Sequence, residues 1–187
     1  MSNKTLITLF IALYFCSAAV MAETPEGWNM KGPSSYESGV DNSIYLSSPQ
    51  SFYLRSTASK SYPSGELFQV FSAGQYAGKR VKLTGFVKGN LTHAIAFGIV
   101  VWRGSEHAIM AGEESLHSGE TYYSWTQLTT VIDVPIDSNK ISIFFRMWNK
   151  GEAWLDDIKL EIVSKSTPLL NLHDDFIESN RTIKNLP

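Results

Sequence analysis

The sequence predicts an all-β protein, an antiparallel sandwich of about eight to ten strands. Apolar residues alternate with polar ones over several short stretches, which is the period of a strand with one buried face. Gly, Pro, Asn and Asp punctuate the chain between these stretches, as the turns of a sandwich require. Outside the first 22 residues, no window of helical length carries an apolar stripe at helical spacing.

Residues 1–22 are interpreted as a secretory signal peptide. Lys4 precedes an apolar run from Leu6 to Val20, and a small-residue motif that signal peptidases cleave ends at Ala22. The run is short for a bilayer span, although an uncleaved anchor is the alternative. We therefore expect an exported protein, periplasmic or secreted, with no membrane span after cleavage.

Cysteine usage and charge argue against several classes of function. Cys16 is the only cysteine and lies in the predicted signal, so the mature chain offers no disulfide and no thiolate metal site. The 16 Lys and Arg against 18 Asp and Glu form no basic patch, which argues against nucleic acid as a partner. Because no histidine pair has metal-ligand spacing and no Gly-x-Ser-x-Gly motif occurs, we expect no enzyme activity.

The strand over residues 80–88 is the element around which the sandwich is organised. Its apolar residues alternate with charged or polar ones, and Gly85 has the parity of the apolar set. Before it, residues 28–30 predict a short edge strand, and residues 44–47 and 51–57 predict a hairpin. Residues 66–72 carry too many apolar side chains for one face, so we expect that strand to be covered on both faces.

Further strands follow the organising strand. The same alternation predicts them at residues 93–103, 125–134, 141–148 and 153–163. In the last one, Trp154 shares its parity with Ile158, which places both on the core side. Residues 112–120 are interpreted as a polar loop. We expect one domain over residues 23–163, and a loosely ordered polar tail over residues 164–187.

Four motifs together resemble a known family. They are Tyr76-x-Gly-Lys-Arg-Val-x-Leu-x-Gly-x-Val-Lys88, Trp102-Arg103, Trp125 before Val131-x-Asp-Val-Pro135, and Trp154-Leu-Asp-Asp157. In this order, over about residues 28–163, the chain resembles the galactose-binding-like jelly-roll modules that are appended to some bacterial helix-turn-helix regulators. It is more distantly similar to jelly-roll carbohydrate-binding modules. The resemblance implies an antiparallel jelly-roll β-sandwich and a binding role.

One predicted strand presents an unusual outer face. If the odd residues of the strand over 141–148 face the core, then Phe144, Arg146 and Trp148 point away from it. Trp102 has the same outward parity in its own strand. Aromatic faces and arginine donors suit a carbohydrate, so we predict that these four residues bind the ligand. In the alternative, loops or the tail cover this face and make it a second core layer.

A second group of candidates is acidic. Asp156 and Asp157 lie in the closing strand, and Glu37 and Asp41 are the carboxylates of an early loop. The resemblance implies that these four residues hold a structural calcium ion, which needs six to eight oxygen ligands. In the alternative, Asp156 accepts hydrogen bonds from loop amides and no metal binds. We expect no other cofactor.

These observations together favour an exported, non-catalytic binding module for a carbohydrate or cell-envelope glycan. The alternative is a protein-interaction module that docks a protein partner on the aromatic face. A small glycan hydrolase ranks third, because Glu113 and Glu114 are adjacent and a hydrolase needs two carboxylates facing each other across a groove.

The signal-peptide interpretation predicts cleavage after Ala22. Intact-mass analysis of the exported protein should give a chain that begins at Glu23. An exported chain that still carries residues 1–22 would contradict the interpretation.

Overall fold

The computed structural model of the protein describes residues 24–47, 49–56, 64–91, 94–116, 124–148 and 150–171. The predicted signal peptide and the end of the predicted tail, residues 172–187, lie outside the described ranges. No helix within these ranges is long and apolar enough to cross a membrane.

Antiparallel strands form two packed sheets, which confirms the predicted fold class. Within the described ranges there are ten strands: β1 (Asn29–Lys31), β2 (Tyr36–Asp41), β3 (Ser51–Ser56), β4 (Gly65–Ser72), β5 (Arg80–Leu91), β6 (Ala94–Arg103), β7 (Glu106–Leu116), β8 (Thr126–Asp133), β9 (Lys140–Trp148) and β10 (Gly151–Val163). Sheet A has the order β1-β4-β9-β6-β7, and sheet B has the order β2-β3-β10-β5-β8. A short 3-10 turn at Gly74–Tyr76 precedes β5. The chain is an antiparallel jelly-roll β-sandwich.

The organising strand β5 lies inside sheet B, where it pairs with β10 on one side and β8 on the other. Val81, Leu83 and Val87 are buried in the core between the sheets, as the alternation predicts. Gly85 shares this inward face, because a Cβ atom placed on it would lie 2.8 Å from the Phe97 ring and 3.1 Å from Leu155. The glycine therefore makes room for a phenylalanine of the opposite sheet.

The alternation in sheet A is also confirmed. The odd residues of β9 and of β6 are buried in the same core: Ile141, Ile143, Phe145, Met147, Ile95, Phe97, Ile99 and Val101. Both strands are paired on both sides, β9 with β4 and β6, and β6 with β9 and β7. Their even residues consequently share the outer face of sheet A.

Glu37 and Asp41 do not lie in an early loop as expected, because residues 36–41 form the strand β2, which pairs with β3.

Three further predictions about individual elements were wrong. Residues 44–47 are a loop between β2 and β3 and not a strand of the hairpin. Residues 112–116 of the predicted polar loop are strand, because β7 continues to Leu116, and residues 117–120 lie outside the described ranges. Residues 66–72 are not covered on both faces, since Val70 is 43% exposed.

A β-bulge in β10 overturns the predicted parity of Trp154. Asp156 pairs with Phe86 but Lys159 pairs with Thr84, so one extra residue lies in β10 and Asp157 adopts a φ of 53°. The extra residue reverses the alternation, which puts Ile158 against the core while Trp154 faces outward from sheet B. Trp154 is nevertheless only 3% exposed.

The first part of the predicted tail is held in place. Leu170 exchanges two backbone hydrogen bonds with Val131 of the edge strand β8, at 3.0 and 3.1 Å. The Asn171 carbonyl accepts from Gly112 of β7, so this segment joins the edges of the two sheets. Arg80 also donates to the carbonyls of Lys165 and Thr167. The expectation of a loose tail therefore needs correction for residues 164–171.

Filling the space at Gly85 should destabilise the protein. Gly85→Val places a branched side chain against Phe97 and Leu155, and overpacking of this kind costs about 1–3 kcal/mol. At about 2–4 °C per kcal/mol for a domain of this size, the fall in Tm is measurable by calorimetry. Lys82→Val in the same strand, on its outer face, is the matched control and should leave Tm nearly unchanged. Equal shifts for the two variants would contradict the assignment of faces.

Candidate functional site

The outer face of sheet A carries the four residues predicted to bind a ligand. The register places Phe68, Phe144, Gly98 and Gly112 side by side across β4, β9, β6 and β7. In the next row along the strands, Glu66 of β4 lies beside Arg146 of β9. A small apolar cluster forms on this face, separate from the core between the sheets: Ala96, Val100 and Phe144, with Phe68, Trp102, Met110 and Trp148 packed around them.

Phe144 is the floor of this face. A Cβ atom on Gly98 would lie 2.7 Å from the tip of the Phe144 ring, and one on Gly112 would lie 3.4 Å from it. The two glycines thus create the space that the ring fills, and Phe144 is only 4% exposed. The expectation that this ring stands open as a stacking platform is therefore wrong, although the residue lines the site.

Arg146 lies between two aromatic rings. Its guanidinium carbon is 5.1 Å from the ring centre of Phe144 and 5.7 Å from that of Trp148, a cation–π arrangement. Two of its five N–H groups donate to one carboxylate oxygen of Glu66, with Nε at 2.7 Å. The other N–H groups make no hydrogen bond to a described residue, so they are available to hydroxyl groups of a ligand.

Trp102 lies at the other end of the same face. Beside it, a bulge in the β6–β7 pairing inserts one extra residue into β7, between Ile109 and His107. The Lys140 ammonium group lies 4.0 Å from the Trp102 ring centre, and the His107 ring meets it edge-on at 3.9 Å. The indole N–H of Trp102 is buried and donates to no described residue.

These residues line a groove of about 370 Å³, which lies in the size range of small-ligand sites. The groove is lined by Lys31, Glu66, Phe68, Val70, Val100, Trp102, His107, Met110, Lys140, Ser142, Phe144 and Arg146. A neighbouring cavity of similar volume shares Lys31, Glu66 and Arg146 with it and extends to Pro33 and Ser64. The groove combines an apolar floor with charged groups at its rim.

The structure brings the four predicted ligand residues onto one face. Trp102, Phe144 and Arg146 line the groove, and Trp148 packs on the same cluster beside Arg146. That they bind a ligand stays a prediction. Three lining residues were not predicted: Lys31, Glu66 and Lys140. The first two reach the groove through the pairing of β1 with β4 and of β4 with β9, which no local pattern reveals. Lys140 is the first residue of β9 and has the outward parity of Phe144, but it lies one residue before the predicted start of that strand. The alternation in β4 was the one available signal for Glu66.

The acidic candidates lie on sheet B, away from the groove. Asp156 is 5% exposed, and its carboxylate accepts hydrogen bonds from the backbone N–H groups of Leu46 at 2.7 Å, Ser47 at 3.3 Å and Asp157 at 2.7 Å. These bonds hold the loop of residues 42–47 against the outer face of sheet B. The carboxylate of Asp157 faces Lys159 at 3.6 Å.

Asp41 anchors the same loop from its other end. One carboxylate oxygen accepts from the backbone and hydroxyl of Ser43 and from the backbone of Ile44, and the other accepts from the Trp154 indole N–H at 2.9 Å. Burial by itself raises the pKa of Asp41, but these hydrogen bonds outweigh it and lower the pKa to about 2. The carboxylate is therefore a structural acceptor that remains ionised in the folded protein down to about pH 2.

The four carboxylates do not converge on one point. Glu37 forms an ion pair with Arg55, which also contacts Glu152, on the outer face of sheet B. Among the described residues, no group of three or more His, Cys, Asp or Glu side chains could hold a metal ion. The arrangement supports the alternative in which Asp156 accepts from loop amides, and the calcium site stays a prediction.

A third cavity, of about 330 Å³, opens at the bulge in β10. Trp28, Phe52 and Ile158 form its apolar wall, and Gln69, Asp156 and Asp157 are among its polar lining. The Trp28 and Phe52 rings pack edge-to-face with their centres 5.4 Å apart. This cavity lies where the first edge strand of sheet A meets sheet B.

Comparison with known proteins supports both the jelly-roll fold and the resemblance to modules of helix-turn-helix regulators. No known family profile matches the chain. Over 156 residues it is 28% identical to the uncharacterised helix-turn-helix-type transcriptional regulator YbfP of Bacillus subtilis, a match that covers 81% of this chain. The chain spans about half of the regulator's length, 53%. The predicted resemblance to modules appended to such regulators is thus confirmed.

Two solved structures show the same fold at low sequence identity. The xylan-binding CBM22-1 domain of Xyn10C from Paenibacillus barcinonensis superposes with a TM-score of 0.55 at 15% identity, covering 78% of this chain and 92% of that domain. The enzymatically active domain of tailspike protein 4 from bacteriophage CBA120 gives 0.57 at 16% identity, covering 74% of this chain and 20% of that one. The likeness establishes the jelly-roll sandwich.

The lowered pKa of Asp41 predicts how stability depends on pH. Its folded pKa of about 2 lies below the ordinary 3.8, so the ionised carboxylate stabilises the fold above about pH 4. This contribution is lost as the pH falls from about 4 to about 2. The Tm of Asp41→Asn should therefore lie below that of the wild type at pH 6, and the difference should shrink towards pH 2.

Asp137→Asn is the control for this titration, because Asp137 makes an exposed ion pair with Arg103. Its Tm should follow that of the wild type across the range. A difference between wild type and Asp41→Asn that does not vary with pH would show that the carboxylate's charge is not what stabilises the loop.

Proposed function

We propose that the protein is a non-catalytic binding module that holds a carbohydrate in the groove on the outer face of sheet A. The observation that carries the proposal is the pairing of aromatic rings with unpaired donors in one cavity. Trp102 and Trp148 lie at opposite ends of the face, and Arg146 between them has N–H groups without a described partner.

The chemistry of the groove suits a sugar. Aromatic rings contact the apolar C–H faces of pyranose rings, and a guanidinium group donates to hydroxyl oxygens in fixed directions. Phe144 and Val100 provide an apolar floor, while Ser142 adds a small hydroxyl. A protein-docking surface would instead present a flatter and more continuous apolar patch.

The described part of the groove lacks the pair of carboxylates that glycoside hydrolysis uses. Glu66 is the one carboxylate among the described lining residues, and both of its contacts to Arg146 engage it in an ion pair. Hydrolases place two carboxyl groups about 5–9.5 Å apart across the scissile bond. This supports binding without catalysis.

One further observation supports a carbohydrate as the ligand, and another supports the cell exterior as the place where the protein acts. A solved structure with this fold is named as a xylan-binding domain, although identity at 15% carries only the fold. The interpretation of residues 1–22 as a signal peptide would export the module to where polysaccharides are found.

A glycan array tests the proposal. The mature protein should bind at least one polysaccharide, and Trp102→Ala should weaken that binding by about tenfold or more, as loss of an aromatic anchor does. Tyr53→Ala removes a half-buried aromatic ring from the outer face of sheet B and should leave binding unchanged.

Tm and far-UV circular dichroism should accompany each binding measurement, because Trp102 also packs on the outer cluster. Binding lost without unfolding supports the proposal. A wild-type protein that binds no polysaccharide, or a Trp102→Ala variant that binds as tightly as Tyr53→Ala, would contradict it.

A further inference from the structure

The groove is cationic although the chain as a whole is not. The formal net charge of the chain is -2. Among the described side chains that line the groove, three carry a positive charge (Lys31, Lys140 and Arg146), and one, Glu66, carries a negative charge. The described lining of the groove therefore has a net positive charge, which attracts anions.

The lysines are the available cations of this groove. Glu66 is paired with Arg146, and neither Lys31 nor Lys140 forms an ion pair with a described residue. Lys140 and Arg146 are six positions apart in β9, roughly 20 Å along a strand. Positive charge is thus present at both ends of the groove. One further acidic residue of sheet A, Glu114 in the edge strand β7, is in register with Ala96 of β6.

Lys140 also controls access to Trp102. Its ammonium group lies 4.0 Å from the Trp102 ring centre, over the face of the ring. The His107 ring contacts the same indole at an interplanar angle of 87°, with the ring centres 3.9 Å apart. A sugar that stacks on this face must first displace the ammonium group.

We propose that the groove selects an anionic polysaccharide, whose carboxylate or sulfate group pairs with Lys140 and draws the ammonium group off the face of Trp102. The pyranose ring that carries the anion then stacks on the uncovered indole. This inference rests on the proposed carbohydrate-binding function and names the class of carbohydrate.

The preference for an anionic sugar follows from the contact that replaces the cation–π contact between Lys140 and Trp102. An anionic sugar gives Lys140 a charge-assisted hydrogen bond in exchange for its cation–π contact. A neutral sugar also displaces the ammonium group of Lys140, but it offers that group only a hydroxyl oxygen as a hydrogen-bond acceptor. Because the groove is open to solvent, salt should screen the attraction and weaken the binding of the anionic ligand.

Matched pairs of polymers test the proposal. Titration calorimetry is run with polygalacturonate and its methyl ester, and with κ-carrageenan and its desulfated form, at low and at physiological ionic strength. We expect at least one charged polymer to bind about tenfold tighter than its uncharged counterpart, and more weakly as salt rises. The pair that shows the difference distinguishes a carboxylate from a sulfate.

Lys140→Met removes the charge and keeps an unbranched side chain. It should lower the ratio of the affinity for the charged polymer to that for its uncharged counterpart by about tenfold. Lys82→Met, on the outer face of sheet B, makes the same change in net charge and should alter neither.

The outcomes separate this inference from the function on which it rests. Equal binding of the charged and uncharged polymers, or equal weakening of both by Lys140→Met, would overturn the inference and leave a carbohydrate-binding module. A protein that binds neither these polymers nor any neutral polysaccharide would overturn both.

Discussion

The double pairing of β9 is the constraint on which the rest of the molecule depends. Because β4 and β6 hydrogen-bond to it on either side, its side chains can point only into the core or onto the outer face of sheet A. The inward residues, among them Phe145 and Met147, complete the core between the sheets. The outward residues Phe144 and Arg146 are thereby held in fixed positions, so a binding site here needs no mobile element to form it.

The two outer faces of the sandwich use aromatic residues differently. On sheet B, Trp154 is covered by a loop that Asp41 and Asp156 hold through hydrogen bonds, and its indole N–H donates to Asp41. On sheet A, the glycines at positions 98 and 112 lower the floor for Phe144, and the rings of Trp102 and Trp148 stay partly exposed around it. The polar groups on sheet B are hydrogen-bonded within the protein, so we interpret that face as structural. The face of sheet A has N–H donors without a described partner and two lysines, which is why we propose the ligand site there.

Much of this arrangement was predictable from local alternation, and the rest depended on contacts that a sequence does not display. The parity of β5, β6 and β9 was predicted correctly, down to Gly85 facing the core, because each strand has one consistently apolar side. The parity of Trp154 was wrong because a bulge inserts one residue after it, and no glycine marks this bulge in the sequence. Likewise, Glu66 reaches the groove through the pairing of β4 with β9, which only the register reveals. Lys140 has the outward parity of β9 itself, but it lies one residue before the predicted start of that strand.

The indole N–H signals of the tryptophans test the central claim, that the groove on sheet A binds carbohydrate, most directly. In a ¹H–¹⁵N spectrum of the full mature chain titrated with oligogalacturonate and with xylo-oligosaccharide, each indole gives one resolved signal, assigned by single Trp→Phe variants. The account predicts that at least one sugar shifts the signals of Trp102 and Trp148, while that of Trp154, bonded to Asp41 on the other sheet, stays in place. A titration that moves the Trp154 or Trp28 signal and leaves Trp102 and Trp148 unchanged would contradict it.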